Sequence, residues 1–401
     1  MVRYAVCAIA FCLTPFAAGA QSDPAAVIAA SFACRPQSCS TLIPAASVDE
    51  PEDNDCAYRN GNEWWLDYVA GSLAWSKHPS RHPITVAVFD DGAAIDHPAL
   101  RNRLWTNEAE AHGKPGVDDD GNGYIDDVHG WDFVDNHPIA PPQGECRGRV
   151  SHGTFMASLI AAERNSGIGM AAAGSDGARV MVLRIVGCGS DTRVDPDRLK
   201  RALEYATRMG ARILSFSAHW NVSTPELDAA FAEIADRPDS PRAAIVVASV
   251  PNKGEAQAGY PAAYRFRRIV RAVPIGNEDR ISPGTTSIPD GLNFGAPSAC
   301  VIGATAGPGF ALANGSSNST AILAGLLAGI WANPLYAGFS TDEFLGRVIK
   351  GRMAQTARRS RPGLRAPYLA GVPLADACTL STRERSAQVC RRPIPEQEER
   401  R

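Results

Sequence analysis

Residues 84–92 read Ile-Thr-Val-Ala-Val-Phe-Asp-Asp-Gly, and this stretch indicates the fold class. The run from Ile84 to Phe89 is almost continuously apolar, which is typical of a strand covered on both faces. Asp90 ends the strand, and Gly92 permits a sharp turn that leaves the carboxylate accessible. Because ligands of open α/β sheets gather beyond the carboxyl ends of strands, Asp90 is a candidate functional residue. An aspartate that only caps the next turn is the alternative.

Further apolar runs have the same character, and helical patterns lie between several of them. The runs cover residues 180–186, 212–216, 243–250 and 269–273. Asp195-Pro196 and Thr224-Pro225 each predict a helix start, because a capping side chain precedes proline at the first helical position. Alternating strands and helices predict an α/β fold with a mostly parallel central sheet and helices on both faces.

Two other segments present groups that can act together with Asp90. His152, within Ser-His-Gly-Thr at residues 151–154, is predicted at a helix N-terminus, and Ser317, within Gly-Ser-Ser-Asn-Ser-Thr at residues 315–320, begins an apolar helix. A hydroxyl nucleophile needs an imidazole to take its proton, and the imidazole needs a carboxylate to fix its tautomer. Taken singly, an incidental loop histidine and an N-capping serine are the alternatives.

These segments resemble the motifs of the subtilisin-like serine peptidases, whose triad has the chain order Asp, His, Ser. The resemblance covers roughly residues 64–377. Residues 86–92 resemble the family's aspartate motif, residues 151–154 its histidine motif, and residues 315–325 align without a gap to its serine motif. The resemblance implies the subtilisin-like three-layer fold and an exported serine endopeptidase.

The resemblance also implies a role for each site residue. Asp90 would be the orienting carboxylate, His152 the general base and Ser317 the nucleophile. Asn252 stands where the family carries its oxyanion-stabilising asparagine. Loss of such a donor typically lowers turnover by about two to three orders of magnitude.

The segments that would contact substrate depart from the family pattern. The resemblance implies that Ser217, Ala218, His219 and Pro251 bind substrate. His219 falls near a glycine of the family's substrate strand, and Pro251 replaces a glycine that lines its specificity pocket. We therefore expect restricted specificity. Two alternatives stay open: a catalytically silent peptide-binding module on the same scaffold, and an esterase that acts on small acyl compounds.

Residues 118–127 read Asp-Asp-Asp-Gly-Asn-Gly-Tyr-Ile-Asp-Asp, which matches much of a calcium loop. Asp118, Asp120, Asn122 and Asp126 place oxygen ligands at positions 1, 3, 5 and 9, and a glycine occupies position 6. His129 stands at position 12, where an EF-hand has a bidentate glutamate. The pattern predicts a structural calcium ion, with an acidic surface turn as the alternative. No cofactor is predicted for the chemistry itself.

Both ends of the chain are predicted to lie outside the catalytic domain. Residues 1–20 combine a basic residue, a short apolar stretch and a small-residue cleavage signal, which predicts a signal peptide and a periplasmic or secreted protein. Residues 21–60 are predicted to be an extension or short pro-segment. Residues 61–378 form the predicted peptidase domain, and residues 379–401 form a tail.

Composition narrows the partners and the redox environment. The 401 residues carry a net charge of −3, which gives no argument for binding nucleic acid or an acidic membrane. We expect a monomer that acts on protein or peptide substrates and has no stable membrane span. Eight cysteines remain after the signal peptide and predict up to four disulfides, with Cys378–Cys390 as a local pairing. They are Cys34, Cys39, Cys56, Cys146, Cys188, Cys300, Cys378 and Cys390.

Overall fold

A computed structural model of the chain describes residues 55, 57, 63–69, 82–139, 152–167, 169–187, 193–250, 259–276, 281–282, 285, 288–307 and 309–354. The predicted signal peptide, most of the predicted extension, the C-terminal tail and the Cys378–Cys390 pairing lie outside these residues. Pro251 and Asn252 also lie outside them. Within the described part of the chain, no helix is long and apolar enough to cross a bilayer.

An eight-stranded sheet forms the centre of the molecule, in the order β3-β2-β4-β1-β5-β6-β7-β8. Neighbouring strands run parallel except at the β2–β3 edge. Its strands are β1 Ile84–Asp90, β2 Gly130–Asp132, β3 His137–Pro138, β4 Ala178–Arg184, β5 Ile213–Phe216, β6 Ile245–Ser249, β7 Ile269–Ile275 and β8 Leu292–Pro297. A separate antiparallel pair consists of β9 Val301–Ala304 and β10 Phe310–Ala313.

Helices flank the sheet and fill the connections between its strands. They are α1 Trp64–Tyr68, α2 Glu108–Ala111, α3 His152–Ala161, α4 Pro196–Arg208, α5 Pro225–Ala235, α6 Ser316–Trp331 and α7 Thr341–Glu343. A wider, π-type helical stretch, Phe344–Met353, follows α7. The predicted helix starts at α4 and α5 are confirmed, because Asp195 accepts a hydrogen bond from the Arg198 amide and Thr224 accepts one from the Leu227 amide.

The alternation of side chains along β1 explains the two layers of helices. Val86 and Val88 pack into one apolar core together with α3 and α6, whereas Ala87 and Phe89 pack into a second core with α4 and α5. Successive side chains of a strand point to opposite faces, so a strand that is apolar at every position must be covered on both sides. The predicted fold class is confirmed.

One strand contains a residue that its apolar pattern does not predict. Arg271 in β7 is 1% exposed. Its Nε donates to the Ala262 carbonyl at 2.6 Å, and a second guanidinium nitrogen donates to the Tyr264 carbonyl. Burial, reinforced by the charge of Arg265, lowers the pKa of Arg271 to about 10. The buried cation therefore holds the turn at residues 262–264 against the sheet.

Two buried carboxylates attach the N-terminal part of the described chain to the core. Asp55 accepts hydrogen bonds from the Asn165 amide at 2.7 Å and the Ser166 hydroxyl at 2.9 Å. Glu63, just before α1, accepts a hydrogen bond from the Ala171 amide at 3.0 Å. A buried carboxylate needs such donors to offset its loss of water. Both residues thus hold the segment that follows α3.

Candidate active site

Asp90 ends the central strand of the sheet. Its strand β1 lies between β4 and β5, and the side chain of Asp90 is almost fully buried. Gly92 has a φ of 100°, so the chain turns sharply after Asp90, as predicted. The Asp91 amide donates to Asp90 Oδ1 at 2.9 Å, which fixes the orientation of the carboxylate.

His152 is the first residue of α3, and its ring contacts Asp90 directly. The distances from His152 Nδ1 to the two Asp90 carboxylate oxygens are 2.8 and 2.9 Å. An ionised carboxylate only accepts hydrogen bonds, so Nδ1 donates. This arrangement leaves Nε2 as the basic nitrogen of the neutral ring.

Close packing holds the start of α3 against the turn that follows Asp90. A Cβ added at Gly153 would lie 2.0 Å from the Gly92 carbonyl oxygen and 3.0 Å from Asp90 Cβ. The next residue, Thr154, accepts a hydrogen bond from the Ala94 amide at 2.8 Å. Only glycine allows this approach, which explains the sequence His-Gly-Thr at this position.

Opposing effects set the pKa of His152. Burial alone would lower it, because a buried imidazolium loses water. The charge of Asp90, the hydrogen bond to Asp90 and the charge of Asp91 outweigh this effect and raise the pKa of His152 to about 9. The neutral ring, which can accept a proton, therefore prevails only in alkaline solution.

Ser317 is the second residue of α6 and lies at the same edge of the sheet. Gly315 precedes the helix, and no side chain caps it, so Ser317 is not an N-cap. The Ser317 carbonyl accepts a hydrogen bond from Ser217 Oγ at 3.4 Å. Ser217 follows β5, the strand that pairs with β1. No hydrogen bond joins Ser317 to His152 among the described residues, and catalytic contacts of this kind often tighten only when substrate binds.

Polar side chains that the sequence did not single out hold the start of α6. Asn318 Nδ2 donates to the Ser298 carbonyl at 3.2 Å and to the Ala313 carbonyl at 3.1 Å. Ser319 Oγ donates to the Ala296 carbonyl at 2.8 Å. The polar run Ser-Ser-Asn-Ser-Thr at residues 316–320 is the sequence feature that could have indicated these contacts, because buried polar side chains need hydrogen-bond partners.

The predicted substrate residues that the structure describes follow β5 at this edge. Ser217 and Ala218 are half-buried, and His219 is exposed. The ring of His219 lies against Gly259, where an added Cβ would come within 3.1 Å of His219 Cδ2. Trp220 and Tyr260 then exchange two backbone hydrogen bonds of 3.1 and 2.8 Å. These bonds join Trp220, the residue after His219, to the segment at residues 259–260.

The predicted calcium loop brings two of its four predicted ligands together with a residue that was not predicted. Carboxylate oxygens of Asp118, Asp120 and Glu110 all lie within 4.8 Å of one another. Carboxylate oxygens are the ligands that calcium prefers, so this donor set fits the ion. The Asn122 amide group instead donates to Asp120 at 3.0 Å, and Asp126 accepts from the Gly116 amide at 2.8 Å.

A buried carboxylate fastens this loop to the protein. Asp127 accepts hydrogen bonds from Tyr205 Oη at 2.6 Å, Asn107 Nδ2 at 2.7 Å and Asn122 Nδ2 at 3.0 Å. Burial raises the pKa of Asp127, and these hydrogen bonds oppose the rise. Tyr205 belongs to α4, so the loop is held by a helix of the main domain.

A second group of possible ligands consists of Asp132, Asp135 and His137, which the sequence analysis did not single out. Arg184 Nη1 lies 2.6 Å from Asp132 Oδ2 and also contacts Asp135. The side chain of Arg184 packs over Gly92, beside Asp90 and Asp91. The positive charge of Arg184 therefore balances the carboxylates of Asp132 and Asp135.

Comparisons with known proteins show which family this chain is similar to. The model of the subtilase family matches residues 81–372. Subtilisin-like protease 1 of Plasmodium vivax is 41% identical over 98 residues, which cover 24% of this chain but only 14% of that protein. Thermitase of Thermoactinomyces vulgaris is 26% identical over 251 residues, which cover 62% of this chain and 74% of that protein.

A solved structure supports the fold independently. Sphericase superimposes with a TM-score of 0.54 and 18% sequence identity, covering 78% of this chain and 97% of that chain. At this identity the likeness concerns the fold alone.

Proposed function

The chain belongs to the subtilase family, and from this membership we propose that it is a serine endopeptidase. The observation that carries the proposal is the pair of short contacts between His152 Nδ1 and Asp90. An imidazole held in this way has its basic nitrogen free to accept a proton from a hydroxyl.

In the proposed reaction, Ser317 Oγ attacks the carbonyl carbon of the scissile peptide bond. His152 Nε2 takes the hydroxyl proton and then gives it to the leaving amine, which departs as the acyl-enzyme forms. In the second half, His152 accepts a proton from water and the water oxygen bonds to the acyl carbon. The bond between that carbon and Ser317 Oγ then breaks, His152 returns the proton to Ser317 Oγ, and the acid product leaves. Asp90 stabilises the imidazolium in both halves.

We propose that two donors stabilise the tetrahedral oxyanion. The first is the backbone N–H of Ser317, which lies in the first turn of α6, where amide groups have no partner within the helix. The second is the Asn252 side chain, which the family resemblance suggests. Preorganised donors of this kind usually make a large contribution to the rate.

We propose that the enzyme has restricted specificity. The position of the His219 ring against Gly259 supports this, because a bulky side chain stands on the segment that the family resemblance expects to contact substrate. The resemblance also implies that Pro251 replaces a glycine that lines the specificity pocket. A cleavage-site profile on a peptide library, read by mass spectrometry, tests the idea: a broad profile would contradict it.

We also propose that the protein is exported and forms disulfides. Removal of residues 1–20 would release a periplasmic or secreted enzyme, and the disulfide at Cys300 supports an oxidising environment. The partner of Cys300 lies outside the described residues. The carboxylates of Asp55 and Glu63 are hydrogen-bonded to backbone amides of the core. Because cleavage after these residues would remove the bonds, we propose that any further N-terminal processing occurs before residue 55.

A fluorophosphonate probe tests the enzymatic assignment. We expect the probe to label Ser317 in the wild-type protein and to leave Ser317→Ala unlabelled. His152→Ala should lose both labelling and casein cleavage. His112→Ala is the matched control, because His112 is an exposed histidine away from Asp90.

Two other outcomes of these experiments would support the alternative functions. An unlabelled, correctly folded wild-type protein would support a silent peptide-binding module instead. Ester turnover without cleavage across a peptide library would support an esterase.

A further inference from the structure

Asp91 caps the helix that begins with His152. Asp91 Oδ2 accepts a hydrogen bond from the His152 amide at 3.1 Å, and Oδ1 accepts one from the Gly153 amide at 2.7 Å. The first amide groups of a helix have no partner within it, and a carboxylate there also meets the positive end of the helix dipole. The cap therefore acts on the backbone of the predicted general base itself.

Asp90 and Asp91 hold the same histidine at two points. Asp90 binds the ring of His152, while Asp91 binds its backbone. The Asp91 amide also donates to Asp90 Oδ1, so the two carboxylates are fixed relative to each other. A Cβ at Gly153 would come within 3.1 Å of Asp91 Oδ1, which shows how closely the turn and the helix pack.

We propose that Asp91 is a positioning residue: its carboxylate holds the start of α3 so that the His152 ring stays against Asp90. The proposal rests on the proposed function and adds a residue that acts through His152 rather than on substrate. Two properties of Asp91 contribute, namely its hydrogen-bond acceptors and its negative charge.

The charge has an effect that can be separated from the geometry. It is one of the causes that raise the pKa of His152 to about 9. Among the described residues, the charged side chains next to this turn include Asp90 and Arg184, and Arg184 is engaged with Asp132 and Asp135. Helix α6 carries no titratable side chain, and His219 lies in the connection that follows β5.

Three substitutions separate the two properties. Asp91→Asn and Asp91→Ser keep a side-chain acceptor and remove the charge, so we expect the acid limb of the kcat/KM profile to move to lower pH by about half a unit or more. Their plateau kcat should stay within a few-fold of wild type. Asp91→Ala removes both properties, and we expect plateau kcat to fall about ten- to a hundred-fold with a smaller change in KM.

Asp96→Asn is the matched control, because Asp96 is an exposed carboxylate of the same loop. It should leave the acid limb where it is in the wild type. The proposal is overturned if Asp91→Asn leaves the acid limb unmoved, if Asp96→Asn moves it equally, or if folded Asp91→Ala keeps the wild-type kcat.

An NMR titration of the His152 ring in the Ser317→Ala background keeps this test independent of catalysis. The Asp91→Asn substitution should lower the titration midpoint of His152 there as well. An unmoved midpoint would reject the positioning role even in an active enzyme. A lowered midpoint, together with an absence of peptidase activity in the protein that keeps Ser317, would reject only the proposed function.

Discussion

The side-chain oxygens of Ser249 and Ser316 lie 2.7 Å apart in a buried hydrogen bond. Ser249 ends β6, the strand after which Asn252 follows, and Ser316 begins α6, one residue before Ser317. The bond thus joins the two elements that would supply the oxyanion donors. It fixes the end of the strand against the start of the helix.

The stability losses from removing the two hydroxyls of this pair should not be additive. Ser249→Ala or Ser316→Ala removes the hydrogen bond between the two buried hydroxyls, so we expect each to lower the free energy of unfolding by about 0.5–1.5 kcal/mol. The double variant should be less destabilised than the sum of the single variants. Urea unfolding of the four proteins measures this, and strictly additive losses would contradict the coupling.

Activity should rise steeply with pH. The pKa of His152 is raised to about 9, and only the neutral ring accepts a proton, so kcat/KM should increase through about pH 9. A raised pKa in the folded state also stabilises the fold below about pH 6.5, the usual histidine pKa, and this contribution is lost as pH rises through about 9. A pH–rate profile with a small peptide substrate measures the first effect, and a midpoint near 6.5 would contradict it.

Acid should destabilise the fold through His97. Its Nδ1 accepts from the Ala99 amide at 3.1 Å, and its Nε2 lies 3.3 Å from the Gly309 carbonyl, so the ring is held neutral. Burial lowers the pKa of His97, although the hydrogen bond to Gly309 opposes this. The unfolded chain therefore binds a proton first as pH falls below about 6.5, and stability is lost.

Thermal melts between pH 8 and pH 5 measure the effect of His97. We expect a smaller pH-dependent loss of Tm in His97→Gln, although its Tm at pH 8 is lower than that of the wild type. His112→Gln, at an exposed histidine, is the control and should follow the wild-type curve. An unchanged slope in His97→Gln would contradict the assignment.

Calcium should raise the thermal stability of the protein. The carboxylates of Glu110, Asp118 and Asp120 converge, and an ion that binds only the folded state raises Tm by mass action. We expect a higher Tm with calcium than with a chelator, and a loss of this difference in Asp118→Asn or Glu110→Gln. Calcium titration calorimetry checks binding directly. Equal melting curves with calcium and with chelator would reject the site.

The sequence was sufficient for the fold and for the pairing of Asp90 with His152. An uninterrupted apolar run requires cover on both faces, and the turn at Gly92 is a local feature of the sequence. The sequence led to the expectation of an accessible carboxylate, whereas Asp90 is almost fully buried and contacts the His152 ring. The helix starts at Asp195 and Thr224 could also be predicted from the sequence, because capping is a local interaction.

The residues that were missed depend on contacts between distant segments. Asp91 was visible in the aspartate motif, but its contact with α3 depends on how the helix docks. Glu110 approaches Asp118 from a separate short helix, so loop spacing alone does not reveal it. Arg271 interrupts an apolar strand pattern. Its burial is explained by the carbonyl groups of the turn at residues 262–264, which accept its hydrogen bonds.

The three residues of the proposed triad lie on β1, α3 and α6, and Asp90 is 62 residues from His152 along the chain. The chain is synthesised from its N-terminus, so α6 is made after β1 and α3. A nascent polypeptide that ends before α6 therefore lacks the proposed nucleophile Ser317. We expect the proposed peptidase activity to arise only after α6 has been synthesised.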